Sequence, residues 1–209
     1  MQNLEFNQCL ISLGRSPLPS KNIMKSMTQD QLLQSVVERM SQLRRRIESL
    51  RQNPIKALTA IPGKNRWSAL QCFEHLNAYG DYYLPAMENA LTQHQESHSA
   101  NLTYTSGWLG GYFVRLMQPK KAVPGKMKSP ADKLPSAAPS DLIIIDQCLK
   151  QLTALERLTK AAHRVDISKA RVPISIGKWI RLKWGDALLV LITHMERHVQ
   201  QAERAAGLD

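Results

Sequence analysis

Apolar side chains recur at three- and four-residue steps in several stretches of this chain, and that period predicts helices. In the first stretch Leu32, Val36, Met40, Leu43, Ile47 and Leu50 form one stripe through residue 52. Thr28 and Gln31 stand three apart at its start, as a reciprocal capping box requires, and Asn53-Pro54 ends it. A second helix is expected from Ser68, capped with Gln71, to about Gln93, with Trp67 placed to pack on Cys72 as a hydrophobic staple. A third begins near Ser140-Asp141, carries Leu142, Ile145, Leu149, Leu152, Leu155 and Leu158 on one side, and ends near His163. The last runs from Trp184–Asp186 to about Ala206, where Gly207 stops it. Helices of roughly 20 to 25 residues, about 30 to 38 Å long, suit an all-α four-helix bundle.

The segments between helices modify that picture. Residues 94 to 140 are too long for a simple turn, so the second and third helices need not be antiparallel neighbours. Within them GWLGGYFVRLM, Gly107 to Met117, reads as a short helix covering the bundle, in preference to a membrane-surface anchor. A basic, proline-rich strap follows over 118–139, where the prolines exclude regular helix. Residues 164 to 183 alternate apolar and polar positions around Gly177-Lys178, as a small hairpin or an extended segment would. Residues 1–27 show no sustained period and are expected to be a mobile leader, leaving 28–209 as one domain.

Composition narrows the function classes. A length of 209 residues suits a single domain, and no apolar run approaches the roughly 18 residues a membrane span needs. The N-terminus lacks the pattern of a secretory signal, so a cytoplasmic location without membrane contact is expected. The three cysteines, Cys9, Cys72 and Cys148, are far apart and outside any Cys-x-x-Cys, which disfavours disulfides and thiolate metal sites. The formal charge of +11 raises nucleic acid as a partner. Consecutive Arg44, Arg45 and Arg46 fan around a helix, however, and Lys120, Lys121, Lys126, Lys128 and Lys133 lie in the strap. Neither group resembles a recognition helix. A solvated face or attraction of a small anionic substrate is the simpler expectation.

The histidines carry the candidate chemistry. His194 and His198 are four residues apart on the inner side of the last helix, so two imidazoles can converge on one cation. His75 sits at the margin of the second helix's apolar arc and is the natural third donor if the two helices pack together. Neutral imidazoles suit zinc, nickel, iron or copper better than magnesium or calcium. Spacing alone leaves the alternative of hydrogen-bonded core histidines open. Tyr79, Tyr82 and Gln201 are candidate partners of the ligands or of a substrate, with ordinary core packing the simpler role for Tyr79. His94, His98 and His163 read as surface residues. Glu74 and Glu196 adjoin the histidines in sequence but project away from the inner arcs, and no catalytic residue is assigned.

RWSALQCFEHLNAYGDYYLPAMENAL, with Trp67-Ser68 ahead of Glu74-His75-Leu76, resembles the second helix of DinB/YfiT-like metalloenzymes. GDALLVLITHMERHVQQAERA, with its His-x-x-x-His, resembles their last helix. The likeness spans roughly residues 28 to 206, including GWLGGYFVRLMQPKK and KMKSP of a bacterial subgroup. It implies a four-helix bundle with a divalent metal, zinc or nickel foremost, held by His75, His194 and His198. It also implies a transferase or isomerase using a low-molecular-weight thiol, and a homodimer; an open position on the metal would suit a hydrolase or a thiol transferase. A non-catalytic, stress-related binding module is the alternative. The leader has no counterpart in the family pattern.

Overall fold

The computed structural model describes residues 26–94, 102–118, 130–175 and 177–208, and the chain there is mostly helical. In chain order the elements are β1 (Met27–Thr28), α1 (Gln29–Arg51), α2 (Ile55–Thr59), α3 (Ala69–Thr92) and β2 (Thr103–Tyr104). They continue with α4 (Trp108–Met117), α5 (Ile143–Ala161), β3 (Arg171–Ile174), β4 (Gly177–Lys183) and α6 (Trp184–Ala205). Short 3-10 turns occupy Ala131–Lys133 and Ala162–Arg164.

Both capping boxes are present. Thr28 and Ser68 accept from the backbone N–H of Gln31 and Gln71, whose side chains accept from the backbone N–H of Thr28 and Ser68 in return. Every residue of the α1 stripe is buried, from Leu32 through Leu50. The stripe meets α5 and α6, while α3 packs along the same two helices from its own side.

Ion pairs reveal the helix directions. Arg39 grips Glu196 and Arg46 grips Glu203, each by two hydrogen bonds of 2.6–2.7 Å, so numbers rise together and α1 runs parallel to α6. Arg44 reaches Glu156 and Arg51 reaches Asp146, so α1 opposes α5. Asn77 bonds the Ile144 carbonyl and Arg157 bonds Glu88, which makes α3 parallel to α5. Trp184 Nε1 donates to the Met87 carbonyl while His75 faces His194, so α3 opposes α6. Two parallel neighbours require a crossover, and the long 94–140 connection supplies it. Arg44 and Arg46, expected on a solvated face, instead hold α1 to two different helices.

Several details depart from the expectation. Pro54 ends α1 but also opens α2, since its fixed φ suits the start of a helix, and Leu58 is fully buried there. Two small antiparallel sheets occur among the described residues, β1–β2 and β3–β4, where an all-α chain needed none. The second is the hairpin that the alternation over 164–183 offered; the first was not foreseen. Met27, assigned to the leader, pairs with Tyr104 and belongs to the fold. Leader residues 1–25 and strap residues 119–129 lie outside the described residues. No described helix is long and apolar enough to cross a membrane.

The apolar segment at Gly107–Met117 is α4, which lies against α6 through Gly110, Gly111 and Val114. Its seat is built around Asp186, only 1% exposed in the first turn of α6. Tyr104 and Ser106 hydroxyls donate to Asp186 Oδ1 at 2.7 and 2.5 Å, and the Gly107 N–H donates to Oδ2 at 3.0 Å. Burial, with Asp186 adding to it, holds the Tyr104 phenol protonated far above its ordinary range. Gly110 is required by this approach: a Cβ there would fall 2.2 Å from Asp186 Cγ.

Candidate metal centre

His75 lies two turns into α3, and His194 and His198 face it from α6. All three are buried, at 1%, 6% and 8% exposure. One ligand nitrogen from each lies within 4.8 Å of the others. His75 Nε2 and His194 Nε2 are 3.3 Å apart. Two ligands of a tetrahedral ion with bonds of 2.0–2.1 Å stand about 3.3–3.4 Å from each other, so this edge has the separation a zinc-like ion needs. The same distance also serves a hydrogen bond between the rings.

His75 Nδ1 donates to the Lys133 carbonyl at 2.6 Å, so the lone pair resides on Nε2, the atom turned towards His194. The strap bearing that carbonyl is clamped to α3. Glu74 accepts from both the N–H and the hydroxyl of Ser136 at 2.8 Å, and Gln71 Nε2 donates to the Ser136 and Ala137 carbonyls. His198 Nδ1 is buried with no hydrogen-bond partner among the described residues, an expensive condition for a polar nitrogen.

Burial dominates the electrostatics. It lowers the pKa of all three imidazoles; neighbouring charges push His194 further, to about 3, and His198 well below the usual range. The Lys133 carbonyl opposes the shift at His75, and Gln201 opposes it weakly at His198 without satisfying Nδ1. Three neutral imidazoles with converging nitrogens are a donor set that could hold a metal ion.

Around them stand Trp67, with its ring 4.8 Å from that of His75 and 5.8 Å from that of His198, and Tyr79, 4.6 Å from His194. Burial raises the Tyr79 phenol to about 12, so it stays protonated. Trp67, expected as a staple on Cys72, thus packs on the histidines. Tyr82 contacts Tyr83 and lies under the Lys133 ammonium, 5.5 Å from its ring centre, with no ring contact to the histidines. Gln201 stands beside His198. Both neighbouring carboxylates are engaged elsewhere, Glu74 by Ser136 and Glu196 by Arg39.

Of the remaining histidines, His94 bonds the Ala90 carbonyl and His163 pairs with Asp30, while His98 lies outside the described residues. Cys72 and Cys148 are buried thiols raised to about 12 by desolvation, unfit as nucleophiles at neutral pH. Cys9 lies outside the described residues. The Lys133 carbonyl is the partner that sequence reasoning missed; a backbone atom carries no residue-type signal. Comparison with protein-family models, with curated proteins and with solved structures finds no match to this chain.

Proposed function

We propose that this chain is a metal-dependent enzyme built as a four-helix bundle of the DinB/YfiT-like kind, with His75, His194 and His198 holding one divalent transition metal, zinc or nickel foremost. The observation that supports this reading most is the 3.3 Å approach of His75 Nε2 to His194 Nε2 while His75 Nδ1 is committed to the Lys133 carbonyl. Three protein ligands leave a position open on such an ion, which would supply Lewis acidity and bring a water or thiol ligand towards deprotonation near neutral pH. Hydrolysis or transfer of a low-molecular-weight thiol are the reaction classes this serves, in a cytoplasmic, homodimeric protein. The chain's own residues hold the imidazoles neutral by burial and orient His75 through the strap. Trp67 and Tyr79 shield the rings from water.

Elemental analysis of protein purified without tag or chelator tests the reading. About one metal per chain is expected, falling to near zero in His75→Ala; metal-free native protein would overturn it. A thiol-dependent activity screen on the loaded protein then separates an enzyme from a binding module. The burial of all three ligands favours the module as second reading, because a closed site serves structure as well as chemistry. An exchangeable ligand on the ion argues for the enzyme.

The clamp on the strap supplies a further expectation. Glu74→Ala removes the acceptor of both Ser136 bonds and frees the Lys133 carbonyl to drift from His75. Metal affinity should drop about 10-fold or more, in the range found for lost partners of ligating histidines, with thermal stability little changed. Competition against a chromogenic chelator measures it, and unchanged affinity would show that Glu74 does not help the strap orient His75.

A further inference from the structure

A second site lies at the other end of the molecule. Asn89 is fourteen residues beyond His75 on α3, about 21 Å along the helix, so this region is separate from the metal centre. There α3 and the β3–β4 hairpin enclose a cleft of about 460 Å³ lined by Asn89, Gln93, Arg171, Pro173 and Arg181. That volume suits a small ligand.

Strand register dictates its charge. Val172 and Leu182 pair across the hairpin and are buried, so alternation turns Arg171, Pro173, Arg181 and Lys183 to the opposite face. Arg171 stands directly opposite Lys183, and Pro173 directly opposite Arg181. Like charges facing one another across a sheet are unfavourable unless something neutralises them. Among the described residues none of these three cations has a carboxylate partner. Lys183 is occupied by the Thr105 carbonyl. The Arg171 Nη1 donates to the carbonyls of Ser168, Lys169 and Ala170, which fixes its guanidinium and leaves its remaining N–H groups available. Arg181 is exposed, and its side chain makes no hydrogen bond or ion pair among the described residues.

The opposite wall adds neutral donors. Gln93 Nε2 donates to Asn89 Oδ1, which leaves the Asn89 amide N–H groups to face a ligand. The end of α3 would ordinarily repel an anion through its terminal carbonyls. Here the Asn89 carbonyl accepts from Thr92 and Gln93, and the Ala90 carbonyl accepts from His94, so that repulsion is blunted.

We propose that this cleft binds a small phosphate-bearing molecule, with Arg171 and Arg181 as its charged grips and Asn89 as a neutral donor. Two guanidinium forks, and no lining carboxylate among the described residues, match a multivalent oxyanion in geometry and sign. The proposal stands independently of the metal centre.

Inorganic pyrophosphate titrated into the full-length protein, followed by backbone amide NMR and calorimetry, tests it. Saturable binding is expected, with shifts centred on Arg171, Arg181 and Asn89, and the same affinity in His75→Ala, which removes any contribution from the metal site. Arg181→Gln, at an exposed position without structural partners, should weaken binding about tenfold. Arg157→Gln carries the same charge change on the α5–α3 face and should leave affinity unchanged. Absence of saturable binding, equal losses in both arginine variants, or shifts centred on the histidines would overturn the proposal. So would a single-stranded oligonucleotide binding where pyrophosphate does not, since that outcome makes the face a nucleic-acid surface.

Discussion

Replacing Asp186 by alanine should destabilise the fold by about 3–5 kcal/mol, because three donors now bonded to a buried carboxylate lose their acceptor together. Two of those donors are hydroxyls and the third is the Gly107 N–H. Asp186→Asn separates the contributions. A hydroxyl can rotate to accept from the new amide, whereas the backbone N–H cannot, so the Asn Oδ1 should stay on Gly107 and the loss should shrink to about 1–2 kcal/mol. The damage should be local at first. α4 would be left with its small-residue contact to α6 and with the bond from Arg197 Nη1 to the Leu116 carbonyl, and limited proteolysis should cut beside it sooner. Urea denaturation measures the effect as a lower midpoint at unchanged slope. Equal stability of native and alanine proteins would mean that the network costs as much to bury as it returns.

The second large effect concerns acid. An imidazole held at a pKa of about 3 in the folded chain returns to about 6.5 on unfolding, so between those limits the unfolded state binds more protons. Stability of the metal-free protein should therefore begin to fall as pH drops below about 6.5 and keep falling towards 3. His194 alone, 6% exposed, accounts for a loss on the order of 4 kcal/mol, and His75 and His198 act in the same direction. Denaturation midpoints at a series of pH values give the slope, which His194→Gln should flatten. A native slope no steeper than that of the variant would show that the three rings are charged or hydrated in solution. At pH 7 a metal that binds only the folded chain should raise stability by about 2.7 kcal/mol when present at 100 times its Kd.

Much of the helical framework was legible because its signals are local. Thr28 with Gln31 and Ser68 with Gln71 mark helix starts within four residues, and the α1 stripe at three- and four-residue steps names its buried face without knowledge of any partner. His194 and His198 share a helix turn for the same reason. The hairpin was half legible, since the alternation around Gly177-Lys178 fits extended backbone whether or not it pairs. Trp67 shows what local reasoning could not reach: its place before the capping box offered a staple on Cys72, but its contacts with the rings of His75 and His198 depend on α6.

By itself the sequence determined where the long helices start, which faces they bury, and that two histidines stand one turn apart. Tertiary structure decided which faces meet. Arg39, Arg46, Arg44 and Arg51 choose partners more than ninety residues away, and those choices set α1 parallel to α6 and opposed to α5. The same assembly brings His75 to His194 and sets the Lys133 carbonyl behind it. The physical reason is one of range: periodicity and capping act over one or two helical turns, whereas the approach of helices depends on the register of contacts between segments that only the folded chain brings together.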